Sequence, residues 1–272
     1  MAPRVLDLAR GSVRVEPGSH PLPVGADRVA VVTHYAPTGR LSRSVVALCD
    51  ELLAAGYRVV LSSACDDPGD LDWGDHGLPA GVAIVRKPNV GYDFGSVAVA
   101  LDVFPEIAAA DSVLVVNDSN IGPFGSLAPL IADFEGSTTD AWGATSSTQH
   151  GYHLQSFFLG FRGAVLASDE MRAFWSGIEH LDDKREIIGR YEVGLSRVLQ
   201  DAGRVLGSAF SAARFGAAST ANLSLEYWLE MLLADYPFVK RELVRRPGVV
   251  PTAAQVPAVV RRLYAQDVRE WM

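Results

Sequence analysis

Four short runs, Val29–Thr33, Tyr57–Ser62, Val82–Val85 and Val113–Val116, are rich in β-branched residues, and polar residues follow them. Continuous apolar runs of this length read as strands buried on both faces, as parallel sheets require. A helix is expected from about Ser44 to Ala55, with Val45, Leu48, Leu52 and Leu53 on one face and Gly56 stopping it. A second is expected over roughly Ser96–Ile107. Strand, helix, strand, strand, helix, strand is the rhythm of an open, mostly parallel α/β sheet. Right-handed crossovers then line the ends of the first, third and fourth strands along one edge, where such sheets bind ligands.

The rest of the chain fits around that sheet. The first 27 residues, with four prolines, read as an extended lead-in. Beyond residue 140, strands are expected at Ala141–Thr145 and Gln155–Phe161, with helices at Ser168–Ile178, Asp183–Ala202, Leu223–Leu233 and Ala258–Trp271. No composition break separates the halves. The reading is a single domain over 1–272: a nucleotide-binding half (28–135), an acceptor-binding half (136–246) and a helical C-terminal tail (247–272). A length of 272 residues with 49 % apolar and 21 % charged residues excludes disorder. A net charge of −8 argues against nucleic-acid and broad anionic-membrane binding. Phe238–Arg246 and Val259–Arg262 mix apolar and basic residues, which allows at most peripheral membrane contact. Two cysteines, Cys49 and Cys65, exclude a disulfide scaffold and a cysteine zinc site. Without a spanning or signal-like apolar stretch, a cytoplasmic location is expected.

Three segments carry candidate chemistry. Val113–Asn120, Val-Leu-Val-Val-Asn-Asp-Ser-Asn, ends an apolar strand in oxygen-bearing groups. Such a strand tip suits a hard cation on diphosphate oxygens, or simply an Asx-turn. In Asn89-Val-Gly-Tyr-Asp-Phe-Gly95 the glycines permit close backbone approach, and the following helix aims its amides at the crevice. Asp93 is there either an N-cap or an acceptor for donor groups. In the Asp183–Ala202 helix, Glu192 falls on the stripe of Ile188, Leu195 and Leu199. A carboxylate so placed is either a base over a cleft or a solvated flank residue. Alternation sends His153 and Gln155 to one face, as an acceptor-pocket wall or as satisfied structural residues. Phe157, Phe158, Phe161 and the Tyr227-Trp228 pair read as core. Dinucleotide, Walker-type and serine-hydrolase signatures are missing.

Together these segments resemble the rhamnan synthesis protein F family of bacterial glycosyltransferases. The resemblance rests on Val31-Val-Thr-His-Tyr35, Asn89–Gly95, Leu114-Val-Val-Asn-Asp-Ser119 with Gly122-Pro123, His153-Leu-Gln-Ser-Phe-Phe158, Asp183-Lys-Arg185, Arg190-Tyr-Glu-Val-Gly-Leu-Ser196 and Pro237-Phe-Val-Lys-Arg-Glu-Leu243. It covers about residues 30–246 and leaves out the acidic loop Asp66–Asp75 and the last 25 or so residues.

The resemblance implies a glycosyltransferase-A-like fold holding a nucleotide sugar at the carboxyl edge of the strands. Asn117-Asp118-Ser119 stands in the place of the family's Asp-x-Asp motif. Asp118 is the one candidate ligand for a divalent Mg or Mn cofactor. Tyr191-Glu192…Arg197…Gly203 is similar to the Glu-Asp…Arg…Gly helix of inverting transferases, with Glu192 as base. His34, Tyr35, Asn89 and Asp93 would contact nucleotide or sugar. Lys240 or Arg241 would neutralise the leaving diphosphate, unless they form a solvated helix face. His153 and Gln155 would orient a glycan, lipid-linked or small-molecule acceptor. The expected activity is inverting transfer of rhamnose or another deoxyhexose from a nucleotide diphosphate donor. The alternatives are a non-catalytic nucleotide-sugar or glycan-binding module and, more remotely, a Rossmann-type cofactor enzyme.

Overall fold

The computed structural model describes residues 2–22 and 25–272; residues 1, 23 and 24 of the expected lead-in lie outside the described residues. The strands in chain order are β1 (Arg14–Val15), β2 (Arg28–Ala36), β3 (Arg58–Cys65), β4 (Val82–Arg86), β5 (Ser112–Asn117) and β6 (Asn120–Ile121). They continue with β7 (Ala141–Ser147), β8 (His153–Leu154), β9 (Phe158–Arg162), β10 (Leu206–Phe210) and β11 (Val239–Lys240). The main sheet runs β1-β4-β3-β2-β5-β9-β7-β10, with β8 beside β7. β4, β3, β2, β5, β7 and β10 all point one way, and only the outer β1, the inserted β9 and the short β8 oppose them. This is the mostly parallel α/β sheet expected from the strand and helix rhythm, and both halves of the chain share it.

The four apolar runs are buried on both faces, as a parallel sheet demands. Val29, Val31, Val113 and Val115 face one core, with the Tyr92–Val103 helix and Trp175. Ala30, Val32, Leu114 and Val116 face the other, with the Arg43–Ala54 helix, Phe134 and Trp142. A third cluster, built on Ile121, Trp228, Val239, Leu243, Val260 and Trp271, fixes the C-terminal segments beside β6. β11 pairs with β6 there, Lys240 opposite Asn120. Among the described residues no helix is long and apolar enough to cross a membrane.

Several expectations need correction. The lead-in is not uniformly extended: Val5–Ala9 is a helix, and β1 adds an antiparallel edge to β4. The second helix begins at Tyr92 rather than Ser96 and ends at Val103, ahead of Pro105. Gln155–Phe161 is not one strand, because a turn at Ser156-Phe157 separates β8 from β9. Asp183–Ala202 is not one regular helix either. A π-helical turn, Ile188–Glu192, joins Lys184–Ile187 to Val193–Asp201. The extra residue in that turn moves Ile187 and Tyr191, rather than Ile188 and Glu192, onto the buried stripe with Leu195 and Leu199. Leu223–Leu233 breaks at Tyr227, and the last helix, Val256–Tyr264, is followed by a separate turn over Val268–Trp271.

Gly91 sets the start of the helix that follows β4. It caps the helix at φ 75°, in the left-handed region, and a Cβ there would overlap the Val5 side chain. Left-handed strain and overpacking each cost on the order of 1–3 kcal/mol. Gly91→Ala is therefore expected to destabilise the fold by about 2–4 kcal/mol, read as a lower urea midpoint with an unchanged slope.

Candidate donor and catalytic cleft

The register of β2 on β5, with Thr33 opposite Asn117, brings two strand tips together. The Asp118 amide donates to Thr33 O at 3.1 Å, and the Tyr35 amide donates to Asp118 Oδ2 at 3.0 Å. Asp93 lies between these tips and is not the cap of its helix. Its Oδ1 accepts from the Thr33 hydroxyl and its Oδ2 from the Asn117 amide, each at 3.0 Å. Asn117 Oδ1 in turn accepts from the Ser119 amide and hydroxyl.

Burial governs the charge of this cluster. It pushes the Asp93 carboxyl up to about 6, helped by the Asp118 charge and opposed by the Thr33 and Asn117 bonds and Lys87. Burial also raises Asp118, against the nearby Arg241 and Arg245. His34 lies 3.0 Å from Ser63 Oγ through Nδ1. Burial, then Arg241 and Arg86, lower its imidazole to about 4, so it is neutral at physiological pH.

Beyond the tips opens a cleft of about 1120 Å³, lined by His34, Tyr35, Asp118, Ser119, Lys240 and Arg241. Arg40, Arg43, Lys184, Arg245 and Arg246 complete a strongly cationic wall, with Glu242 and Glu270 as the further acids. Arg43 is paired with Glu270 and Arg246 with Glu242, but Arg40, Lys184, Lys240 and Arg245 have no ion pair among the described residues. Lys240 sits over the Phe157 ring at 5.0 Å, and burial lowers its pKa against the attraction of Glu192. Arg241 donates its amide to Ser119 O and its Nε to Asp118 O. Lys240 and Arg241 thus face the cleft and are not a solvated helix face.

Glu192 approaches Ser156 from the π-helical turn and is not itself among the residues that line the cleft. Its Oε1 accepts from the Ser156 amide at 2.7 Å and the Ser156 hydroxyl at 3.2 Å. Ser156 itself lines a small pocket together with Thr33, Asp93 and Asn117. Tyr191 is structural. Its hydroxyl bonds the Glu179 backbone and its ring packs on Phe94.

The remaining expected site residues fall elsewhere. Asn89 is exposed on its loop. His153 is buried with Nδ1 2.9 Å from Gly151 O, and Gln155 is buried with Oε1 accepting from Thr145 at 2.7 Å. Neither lines the cleft. Phe157, Phe158, Phe161 and Trp228 are core, as expected.

Lys87, Ser156, Lys184, Arg40 and Arg245 escaped the sequence reading. Lys87 is buried beside Asp93, its ammonium donating to Val90 O at 2.9 Å, and burial lowers it to about 8. A lone lysine after a strand has no motif to announce it. For Lys87, the available signal was the β4 tip on the same carboxyl edge.

The donor set does not fit a divalent cation. Both Asp93 oxygens and one Asp118 oxygen already accept protein donors, and Arg241 lies against Asp118. No group of three His, Cys, Asp or Glu able to hold a metal occurs among the described residues.

Comparison with known proteins gives this geometry a family. The profile described as Rhamnan synthesis protein F matches residues 81–263. The chain belongs to the rhamnan synthesis protein F family. The match extends past residue 246 into the tail that the motif resemblance left out, and it does not include Val31–Tyr35. A family relative, the virulence protein VirA of Vibrio anguillarum, is 31 % identical over 192 residues, which are 59 % of this chain and 62 % of VirA. Protein y4gN of Sinorhizobium fredii is 29 % identical over 198 residues, 70 % of this chain and 50 % of y4gN. The chain thus spans half to three-fifths of the length of these relatives. Among solved structures it is similar to galactosyltransferase LgtC bound to donor and acceptor sugar analogs (TM-score 0.42, 13 % identity, 86 % of this chain and 95 % of that one). It is also similar to a glycosyltransferase that acts in glycosylation of the PBCV-1 major capsid (TM-score 0.40, 9 % identity, 68 % and 83 %).

Two of the perturbed groups, His34 and Asp93, oppose each other in pH dependence. His34, lowered from 6.5 to about 4, gives stability that is present above 6.5 and lost as pH falls toward 4. Asp93, raised from 3.8 to about 6, gives stability that is present below 3.8 and lost as pH rises through 6. Melting midpoints measured from pH 4 to 6.5 should separate them. The Asp93→Asn minus wild-type difference should rise with pH and the His34→Gln difference should fall; parallel slopes would contradict the assignment.

Proposed function

We propose that the chain transfers a sugar, rhamnose or another deoxyhexose, from a nucleotide diphosphate donor to a hydroxyl of a glycan, lipid-linked or small-molecule acceptor, with inversion. The observation that carries this reading is the position of Glu192, bonded to Ser156, which lines one pocket with Asp93 and Asn117, and attracting Lys240 of the cationic cleft. Family membership supports sugar transfer, and the family's description supports rhamnose.

In this reading the diphosphate lies in the cleft against Arg241 and Lys240, where fixed cations stabilise the charge that develops on the leaving group. His34, Tyr35, Asp118 and Ser119 line the donor side, with Asp93 and Asn117 behind them. The exposed Asn89 is left to the sugar or base at the rim. Ser156 occupies Oε1 of Glu192, while Oε2 accepts no hydrogen bond among the described residues. Oε2 takes the proton of the acceptor hydroxyl as that oxygen attacks the anomeric carbon, opposite the departing diphosphate. The transition state is oxocarbenium-like, as in glycoside hydrolysis. His153 and Gln155 hold the turn that carries Ser156 through Gly151 and Thr145.

Nucleotide sugars are first screened by thermal shift, since a ligand of the native state raises the midpoint. With a binding donor, Glu192→Gln should lower turnover ~10²-fold or more while donor affinity stays within about twofold. Wild-type turnover in that variant would remove Glu192 from the mechanism.

A further inference from the structure

We propose that the Arg241 guanidinium, seconded by Arg245, is the cation this site uses for a diphosphate, so that nucleoside diphosphate binds without a divalent metal. The proposal rests on the nucleotide-sugar reading and names what holds the leaving group in it.

The first argument is what the carboxylates already do. Asp93 spends both oxygens on Thr33 and Asn117, and Asp118 spends Oδ2 on the Tyr35 amide. Asn117 and Ser119, flanking Asp118, bond each other. A single free carboxylate oxygen beside a guanidinium is a poor ligand set for a cation that favours six oxygens.

The second argument is where Arg241 stands. Its amide donates to Ser119 O at 2.8 Å and its Nε to Asp118 O at 3.2 Å, so both backbone and head are pinned to the strand tip. Its two Nη groups have no partner among the described residues, and the side chain lines the cleft. Half-buried donors without acceptors call for an anion, and the guanidinium fork matches two phosphate oxygens at once. Arg245, one helical turn on, lines the same cleft and has no ion pair among the described residues. The neighbouring Arg246 and Arg43 are instead held by Glu242 and Glu270. Arg241, pinned to the Asp118 strand tip, and Arg245, one turn on, thus keep their charge free for an anion, while Arg40, Lys184 and Lys240 add unpaired charge elsewhere on the cleft wall.

Calorimetric titration of the whole chain with UDP, dTDP and GDP, in EDTA and in Mn²⁺, tests this. The nucleotide that binds best should do so with affinities less than threefold apart in the two buffers. Arg241→Gln should weaken it about tenfold in both, as for lost charge-assisted phosphate bonds. The exposed Arg245→Gln, which threatens folding less, should weaken it threefold or more. A gain of threefold or more from Mn²⁺ in the wild type would overturn the proposal while leaving the transferase reading standing. So would a loss of less than threefold in a folded Arg241→Gln protein with the same melting midpoint. If none of the three nucleotides binds in either buffer, the nucleotide-sugar reading itself fails, and this proposal with it.

Discussion

The pairing of β2 with β5 organises the rest of the cleft. Because Val29 through Thr33 run in register with Val113 through Asn117, β5 ends beside the last three residues of β2, which run on against β3, and the β2 backbone left open on that side meets Asp118. The Asp118 amide closes on Thr33 O, and the Asp118 carboxylate closes on the Tyr35 amide. A slip of one residue would turn every apolar side chain of these strands to the opposite core and separate the two loops. Two well-packed cores, one on each face, forbid that slip. Hydrophobic burial far from the site therefore fixes the geometry of its polar atoms.

From that pair of tips the site grows by local additions. β6 follows two residues after β5 and recruits β11, which delivers Lys240 and Arg241. The third apolar cluster, with Trp228 and Trp271, holds this second ribbon in place. The chain carries a net charge of −8, yet gathers its cations from residues 40–43, 184 and 240–246 on one cleft. Net charge describes the field at a distance, whereas a cleft with low-dielectric walls responds to the few charges inside it. A bulk acidic balance is therefore compatible with binding an anion.

The sheet was legible because its signal is one-dimensional. Four β-branched runs, each short and ended by polar residues, lead to a parallel sheet without knowledge of their partners. The motif segments around Asp93, Asp118, Glu192 and Arg241 were legible for the same reason, each carrying its signal within a few residues. Lys87, Ser156 and Lys184 were not, since their significance comes only from contacts with distant segments. His153 and Gln155 misled for a related reason. Strand alternation places them on a polar face, but the chain turns at Ser156, and their polar atoms are satisfied by Gly151 and Thr145.

Two of the places where periodicity failed touch each other. A regular strand through Gln155–Phe161 would have paired or buried the Ser156 amide, and a regular helix through Asp183–Ala202 would have put Glu192 in the apolar stripe. Instead the strand opens at Ser156 and the helix widens to a π-turn at Ile188–Glu192. The Glu192 carboxylate then satisfies the amide and hydroxyl that the broken strand exposes. Meanwhile Tyr191 takes the buried position, anchored on the Glu179 backbone and against Phe94. Each irregularity leaves polar groups unsatisfied by its own element, and each is resolved by the other. Local rules broken in pairs, with mutual compensation, are where a sequence departs from its simplest fold for a reason. Here the departure brings one carboxylate to the edge of the polar cluster with a free oxygen.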